Sequence, residues 1–181
     1  MNRLPSAVFL DRDGTIIEDV SYISNPSQVT LIEGAAEALA RVNAALVPVV
    51  VVTNQSGIGR GYYSEDDYHR VEKRTEELLA ERGAKIDATY FCPHPPDAGC
   101  DCRKPGTLLF EQAAKDLAID LSSALFVGDR LRDIEPALRF GAPGVLVPTD
   151  TTPREEIERA EKIARVAPSL LTAIDWYMCT N

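Results

Sequence analysis

Short apolar runs alternate along the chain with longer segments in which apolar residues recur at helical spacing. Five apolar runs predict β-strands: Ala7–Leu10, Val47–Val52, Thr89–Phe91, Ala124–Val127 and Gly144–Val147. The second run reads "VPVVVV", and β-branched residues at nearly every position are typical of a strand that is buried on both faces. The pattern therefore predicts strands that lie between two layers of other structure.

The segments between these runs predict amphipathic helices. They span Glu33–Ala45, Ser64–Arg82, Gly106–Ala118, Arg132–Phe140, Pro153–Val166 and Ser169–Trp176. The second begins with Ser64 and three acidic residues, a typical helix start, and Gly83 follows its end. Strands that alternate with helices favour an α/β fold, a Rossmann-like doubly wound parallel sheet with helices on both faces. We find no linker or repeat, so a single domain over residues 1–181 is expected.

Polar residues follow three of the predicted strands at their carboxyl ends. Asp11 comes after the first strand, Thr53 after the second and Asp129 after the fourth. In parallel sheets these ends share one edge, and ligands bind beyond it. We therefore expect the three residues to converge on one site.

The stretch "AVFLDRDGTIIED" places Asp11 and Asp13 two residues apart. Carboxylates this close repel each other unless a cation or a catalytic task holds them. Magnesium bound by Asp11 and Asp129 would remove the repulsion. Asp11 could then attack phosphorus to form an aspartyl-phosphate, and Asp13 could protonate the leaving alkoxide and later activate water. The alternative is a polar loop with helix-capping aspartates, but the additional clusters favour catalysis.

Further candidate groups suit phosphoryl transfer. Thr53 and Asn54 can hold phosphoryl oxygens with a hydroxyl and backbone N–H groups, and Lys104 can bring positive charge to them. Each has a simpler interpretation, as a strand-end turn or as a solvated basic pair. Asp133, four residues after Asp129, could orient Lys104 or the water ligands of the metal, or merely cap a helix.

The stretch "FCPHPPDAGCDC" contains a candidate zinc site made of Cys92, His94, Cys100 and Cys102. Three thiolates and one imidazole can close tetrahedrally on zinc and leave no open position, so the site would be structural. The alternative is a set of free cysteines with a surface histidine. Cys179, near the end of the chain, has no partner in this pattern and is expected to be incidental.

Composition limits the choice of partners. The chain has 181 residues and a formal net charge of −9, so we expect neither nucleic acid nor an anionic membrane as a partner. No apolar run approaches the roughly 20 residues of a membrane span, and the first residues do not resemble a signal peptide. We therefore expect a cytoplasmic protein. We also expect a monomer, because nothing in the sequence indicates an oligomer interface.

The motifs "DRDGT", "VVTNQSG", "CRKP" and "VGDRLRD" resemble, in this order, the four motifs of the haloacid dehalogenase-like (HAD-like) phosphatases. The resemblance covers nearly the whole chain. It implies that Asp11 is the nucleophile, Asp13 the general acid and base, and Thr53 and Lys104 the phosphate-holding residues. It also implies that magnesium is bound by Asp11, Asp129 and the backbone carbonyl of Asp13.

The cysteine-rich loop followed by "RKP" resembles one subgroup, which contains phosphatases of heptose bisphosphate and of histidinol phosphate. No large insertion lies between Gly14 and Thr53, so no large cap domain is expected. The resemblance implies substrate contacts from Asp19, Ser21, Tyr22, Gln55, Ser56, Arg103 and Arg130. The first hypothesis is a magnesium-dependent phosphatase that removes the 7-phosphate of a heptose 1,7-bisphosphate.

Three alternatives compete with this hypothesis. In a histidinol-phosphate phosphatase, the amine of the substrate would prefer an acidic neighbour, whereas Arg103 and Arg130 favour a second anionic group. A non-catalytic module that binds phosphorylated ligands would not need both Asp11 and Asp13. A nucleic-acid 3′-phosphatase is disfavoured by the net charge of −9.

Overall fold

A parallel sheet is the centre of the fold. The computed structural model describes residues 4–178, so Cys179 lies outside the described residues. The sheet contains six strands in this part of the chain: β1 (Val8–Leu10), β2 (Val49–Asn54), β3 (Ala88–Cys92), β4 (Leu125–Gly128), β5 (Gly144–Leu146) and β6 (Arg165–Val166). Their order is β3-β2-β1-β4-β5-β6, the order of a Rossmann-like doubly wound sheet. The predicted fold class is confirmed.

Strand β1 lies between β2 and β4, and its side chains alternate between two cores. Val8 pairs with Val49 on one side and with Leu125 on the other. Val8 and Leu10 face a core that includes residues of the first and last helices. Phe9 faces the opposite core, where its ring lies 5.3 Å from that of Phe110. Both faces of β1 are therefore buried against apolar side chains, as its uniformly apolar sequence predicts.

Helices connect the strands and cover both faces of the sheet. Between residues 4 and 178 the α-helices are α1 (Ala35–Ala44), α2 (Ser56–Gly59), α3 (Glu65–Ala80), α4 (Leu108–Leu117), α5 (Leu131–Phe140), α6 (Arg154–Ile163) and α7 (Leu170–Met178). Helix α3 begins as predicted, because Ser64 Oγ accepts a hydrogen bond from the backbone N–H of Asp67 at 3.1 Å. None of the helices in this range is both long enough and apolar enough to cross a membrane.

The fifth predicted helix is wrong at its end. The prediction extended a helix from Pro153 to Val166, but α6 ends at Ile163 and Ala164 is extended (φ −152°, ψ −170°). Residues Arg165–Val166 form β6 and pair with β5. An edge strand of two residues has no alternating pattern of its own, so its pairing partner determines its structure. The short helix α2 was also not predicted.

The connection from β1 to α1 places no separate domain over the sheet edge. Residues 11–34 form a compact loop with one 3₁₀ turn, Pro26–Gln28. Isolated bridges join Ile17 to Asp13 and to Leu31, which fold this loop back on itself. Within the described residues there is no large cap domain, in agreement with the prediction. The carboxyl edge of the sheet is left accessible.

Candidate active site

The carboxyl ends of β1, β2 and β4 open into one cleft of about 300 Å³. The residues predicted to carry out the reaction line it at the strand ends: Asp11, Asp13, Thr53, Asn54 and Asp129. The residues predicted to contact the substrate also line it: Asp19, Ser21, Tyr22, Gln55, Ser56, Arg103 and Arg130. The structure thus brings the candidate residues to one edge of the sheet, as the strand-end rule predicts.

Lys104 lies beneath the cleft between two carboxylates. Its Nζ is 3.0 Å from Oδ1 of Asp11 and 2.8 Å from Oδ1 of Asp133, and it donates to the carbonyl oxygen of Val52 at 2.6 Å. Burial alone would lower the pKa of Lys104, but the charges of Asp11 and Asp133 raise it above its ordinary value. Lys104 therefore brings a permanent positive charge to the base of the site.

Asp133 contacts Lys104 and also caps a helix, which are two of the three roles that the sequence left open. Its Oδ1 contacts Lys104, and its Oδ2 accepts a hydrogen bond from the backbone N–H of Arg130 at 2.9 Å, at the start of α5. Gly128 makes room for it, because a Cβ at that position would lie 2.3 Å from Cβ of Asp133. One buried carboxylate thus fixes both the helix start and the lysine.

A cluster of carboxylates at the base of the cleft fits magnesium. Oxygens of Asp11, Asp129 and Asp133 lie within 4.8 Å of one another. Asp129 Oδ1 is buried and has no hydrogen-bond partner among the residues that the structure describes. Burial, followed by the charges of Asp11 and Asp133, raises the pKa of Asp129 to about 8. A buried, unpartnered carboxylate oxygen next to another carboxylate is the donor set that a hard divalent cation prefers.

The backbone of Gly14 packs directly against Asp129. Its φ is +85°, and a Cβ at this position would lie 2.7 Å from the carboxylate carbon of Asp129. Only glycine combines this left-handed conformation with so close an approach. The glycine of the "DRDGT" motif therefore keeps the carboxylate of Asp129 in place beside the loop that follows β1.

Asp13 is held by a network that sequence reasoning missed. Arg12 is 2% exposed, and its Nη2 lies 3.1 and 3.0 Å from the two carboxylate oxygens of Asp13. Gln55 Nε2 donates to Oδ2 of Asp13 at 2.7 Å and to Oγ1 of Thr53 at 2.9 Å. In the sequence, Arg12 looks like a spacer between two aspartates, and no signal there indicates that it folds back on its neighbour.

Asn54 joins the end of β2 to the lysine segment. Its Oδ1 accepts from the backbone N–H of Lys104 at 3.0 Å, and its Nδ2 donates to the carbonyl oxygen of Lys104 at 3.3 Å. The side-chain amide of Asn54 thus both accepts a hydrogen bond from the backbone of Lys104 and donates one to it. The side chain of Asn54 therefore positions Lys104, in addition to lining the cleft.

Three arginines bring positive charge to the cleft wall: Arg60, Arg103 and Arg132. Burial, and then the positive charges of Arg132 and Arg60, hold the pKa of Arg103 below its ordinary value. Among the residues that the structure describes, no carboxylate forms an ion pair with Arg60 or Arg103. Sequence reasoning missed Arg60 and Arg132. Burial alone would lower the pKa of Arg132, but the charges of Asp133, Asp11 and Asp129 raise it, so the arginines of this wall without an acidic partner in the described residues are Arg60 and Arg103. Cationic side chains without acidic partners are typical of an anion subsite.

Arg130 also lines the cleft, but its guanidinium is engaged elsewhere. Its Nη1 donates to the carbonyl oxygen of Thr151 at 2.7 Å, and its Nε lies 3.8 Å from Oε1 of Glu156. Oε2 of the same glutamate accepts from the backbone N–H of Leu131 at 2.6 Å. These contacts join the start of α5 to the start of α6.

The four residues of the candidate zinc site converge. Cys92 Sγ lies 3.6 Å from Cys100 Sγ and 3.2 Å from Cys102 Sγ, and His94 Nδ1 lies 3.2 Å from Cys102 Sγ. The cysteines are free thiols. Burial raises the pKa of Cys92 to about 12, and the neighbouring Cys102 contributes to the shift. A set of soft donors at these separations fits one tetrahedral zinc ion.

The loop after β1 forms an exposed wall of the cleft. Ser21 and Tyr22 both have left-handed backbone conformations, with φ of 53° and 56°. Oδ1 of Asp19 accepts from the backbone N–H of Ser21 at 2.9 Å, which stabilises the turn. The ring of Tyr22 lies 4.8 Å from that of Tyr62, edge to face. Two half-exposed aromatic rings thus border the opening.

The Rossmann-like sheet, the paired aspartates after β1 and the buried lysine define a hydrolase of the HAD-like class. A family model described as HAD-hydrolase-like matches residues 101–173. A D-glycero-D-manno-heptose-1,7-bisphosphate 7-phosphatase from Thermosynechococcus vestitus is 39% identical to this chain, over 97% of it and 96% of the relative. The chain therefore belongs to the D-glycero-D-manno-heptose-1,7-bisphosphate 7-phosphatase family.

Two further comparisons agree. The D-glycero-beta-D-manno-heptose-1,7-bisphosphate 7-phosphatase of Pseudomonas aeruginosa is 41% identical over 80% of this chain and 82% of its own length. The crystal structure of D,D-heptose 1,7-bisphosphate phosphatase from B. bronchiseptica, complexed with magnesium and phosphate, superposes with a TM-score of 0.85. That structure is 32% identical in sequence and covers 94% of this chain and 97% of its own.

Proposed function

We propose that this protein is a magnesium-dependent phosphomonoester hydrolase that removes the 7-phosphate of D-glycero-D-manno-heptose 1,7-bisphosphate through an aspartyl-phosphate at Asp11. The observation that carries the chemistry is the buried arrangement of Asp11 between Lys104 and the unpartnered carboxylate of Asp129. The relatives named above support the substrate. The neighbour crystallised with magnesium and phosphate supports the metal.

In the first step, a carboxylate oxygen of Asp11 forms a bond to phosphorus, and the bond from phosphorus to the sugar oxygen breaks. The electron pair of that bond stays on the sugar oxygen, which takes a proton from the carboxyl group of Asp13 and leaves as an alcohol. In the second step, water attacks phosphorus and gives its proton to Asp13. The bond from phosphorus to Asp11 then breaks, and inorganic phosphate leaves.

The remaining residues of the cleft stabilise charge. Magnesium, when bound by Asp11, Asp129 and the backbone carbonyl of Asp13, supplies positive charge that offsets the repulsion between the nucleophile and the phosphate. Lys104 supplies a second positive charge from below. Thr53 is free to donate its hydroxyl hydrogen to a phosphoryl oxygen, because its Oγ1 already accepts from Gln55.

We assign the non-reacting phosphate of the substrate to Arg103, with Arg60 and Arg132 beside it. Arg60 and Arg103 form no ion pair with a carboxylate of the described residues, whereas Nε of Arg132 lies 4.0 Å from Oδ1 of Asp133. A bound phosphate dianion would relieve the repulsion among them. Arg130, which donates to Thr151, supports this subsite more weakly.

We propose that zinc occupies the Cys/His cluster as a structural ion. Three sulfurs and one imidazole nitrogen leave no open position for a reactant. The cluster lies in a loop that is rich in proline and poor in apolar side chains, and a metal would stabilise it.

A phosphate-release screen with magnesium tests this function. The panel contains heptose 1,7-bisphosphate, the corresponding 7-monophosphate, other sugar phosphates and histidinol phosphate, and Asp11→Asn protein purified identically is the control for contaminating phosphatases. We expect the highest kcat/KM on the heptose bisphosphate and no turnover by Asp11→Asn. A higher kcat/KM on histidinol phosphate would replace the proposed substrate, and turnover by the variant would remove Asp11 as nucleophile.

A further inference from the structure

Gln55 is surrounded by hydrogen-bond partners that dictate the orientation of its side-chain amide. Its Nε2 donates to Asp13 and Thr53, and its Oε1 accepts from the hydroxyl of Tyr63 at 2.6 Å. A carboxylate can only accept, so the NH2 group of the amide must face Asp13. The residue is 3% exposed, and its three polar contacts leave little of the amide free for a substrate.

Tyr63 lies at the far end of this chain of hydrogen bonds. Its ring is 8% exposed and packs against α2, where a Cβ at Gly57 would lie 2.1 Å from the ring. Burial, followed by the charge of Asp13, raises the pKa of Tyr63 to about 12, so the hydroxyl keeps its proton at neutral pH. A phenol that donates to Oε1 stabilises the amide orientation in which Nε2 faces the cleft.

We propose that Tyr63 is a positioning residue for the reaction, which acts through Gln55 to fix the carboxyl group of Asp13. If the amide rotated by half a turn, its carbonyl oxygen would face the carboxylate of Asp13 and repel it. Without the donor from Tyr63, the two orientations of the amide differ less in energy. The general acid would then lose its fixed geometry.

The inference rests on the proposed function, because it requires Asp13 to protonate a leaving group. It predicts that the loss of rate in a Tyr63 variant depends on the leaving group of the substrate. A sugar alkoxide needs the proton, whereas 4-nitrophenolate leaves without one, so a misplaced Asp13 slows the first reaction far more than the second. A variant that merely weakened the fold would slow both substrates alike.

The matched control is Tyr68. Its hydroxyl is also buried, but it has no hydrogen-bond partner within the described residues. Its ring lies 4.4 Å from that of Phe91 and packs beneath the guanidinium of Arg12, and phenylalanine would keep both contacts. Tyr68→Phe thus removes the same atom from the same kind of environment without touching the amide of Gln55.

The experiment measures single-turnover release of the leaving group from a sugar phosphate that the wild type hydrolyses and from 4-nitrophenyl phosphate. We expect Tyr63→Phe to slow the sugar phosphate about tenfold, a loss of one hydrogen bond, and to slow the nitrophenyl ester less than about twofold. Asp13→Asn should show the same asymmetry more strongly. Tyr68→Phe should keep both rates. Equal losses on the two substrates, or none, would overturn the proposal.

A double-mutant cycle tests the route through Gln55. Gln55→Met keeps the volume of the side chain and should reproduce the substrate asymmetry. Tyr63→Phe should then cause no further loss in that background, whereas losses that multiply would overturn the coupling. Wild-type turnover of the heptose bisphosphate tests the proposed function separately, because the variant-to-wild-type ratios can be measured on any sugar phosphate that the enzyme hydrolyses.

Discussion

The ammonium group of Lys104 lies 3.0 Å from Oδ1 of Asp11, and the side chains of both residues are buried. This contact joins the loop after β1 to the segment that follows the Cys/His cluster. It places a fixed positive charge beside the proposed nucleophile before any ligand arrives. Such preorganised charge is the main means by which proteins accelerate phosphoryl transfer.

Lys104→Met should destabilise the protein in magnesium-free buffer. The substitution leaves Asp11 and Asp133 buried without their shared cation, and breaking a buried pair costs about 3–5 kcal/mol. Urea denaturation measures the change in the free energy of unfolding. The double variant Lys104→Met/Asp133→Asn should recover part of the loss, because one of the unpaired charges is removed. An unchanged free energy of unfolding would show that the three groups are not coupled.

Asp129→Asn should stabilise the metal-free protein at alkaline but not at acidic pH. The folded pKa of Asp129 is about 8, against a usual value of 3.8, so the folded state holds a proton that the unfolded state releases between these values. The free energy of unfolding of the wild type therefore falls as the pH rises through this window. The asparagine variant does not show this decrease, because its side chain has no proton to release. The melting temperatures of the wild type and the variant at about pH 5 and about pH 8 test this prediction. We expect the variant to melt at a higher temperature than the wild type at the higher pH.

Added magnesium provides the control for this prediction. It should raise the melting temperature of the wild type at the higher pH by mass action, and it should have much less effect on Asp129→Asn. A variant that magnesium stabilises as strongly as the wild type would remove Asp129 from the metal site.

Arg103→Met and Arg132→Met should raise KM for the bisphosphate and leave KM for the 7-monophosphate nearly unchanged. Each removes a guanidinium from the proposed subsite of the non-reacting phosphate, and an increase of about tenfold corresponds to one charge-assisted hydrogen bond. Arg130→Met should have a smaller effect, since that guanidinium donates to Thr151. A larger effect at Arg130 than at Arg132 would contradict this arrangement of the subsite.

Cys100→Ser should release zinc and lower the melting temperature, because metal binding supplies folding free energy to a loop with few apolar contacts. Metal analysis of the purified protein and thermal denaturation measure the two effects. Cys179→Ser is the control, because Cys179 stands apart from the cluster in the sequence, and it should leave the metal content unchanged. Full zinc content in Cys100→Ser would contradict a site made of these four residues.

The strand-end rule explains why so much of the site could be predicted. The apolar runs are long enough to identify β1, β2 and β4, and the rule places the polar residues that follow them at one edge. The same reasoning does not indicate which of several partners a side chain contacts. The resemblance implies a substrate contact for Gln55, which lines the cleft, but the sequence does not show that its amide also contacts Asp13, Thr53 and Tyr63.

Two other features depend on contacts that no local pattern encodes. Arg130 and Arg132 both line the cleft, but the guanidinium of Arg130 donates to Thr151, and the two-residue spacing does not indicate this difference. The strand Arg165–Val166 forms because an edge of β5 is available to it. Local spacing thus predicts which polar side chains lie at the site, whereas tertiary packing determines how each side chain is oriented.

Cys102 is separated from Lys104 by a single residue, Arg103, so the sulfur cluster and the charged floor of the cleft share one short piece of backbone. Loss of the proposed zinc would therefore loosen the segment that holds the ammonium group of Lys104 beside Asp11, whereas the proposed magnesium ligands Asp11, Asp13 and Asp129 lie on other segments. Protein reconstituted with magnesium alone should bind that metal and turn over slowly, and later addition of zinc should restore the rate.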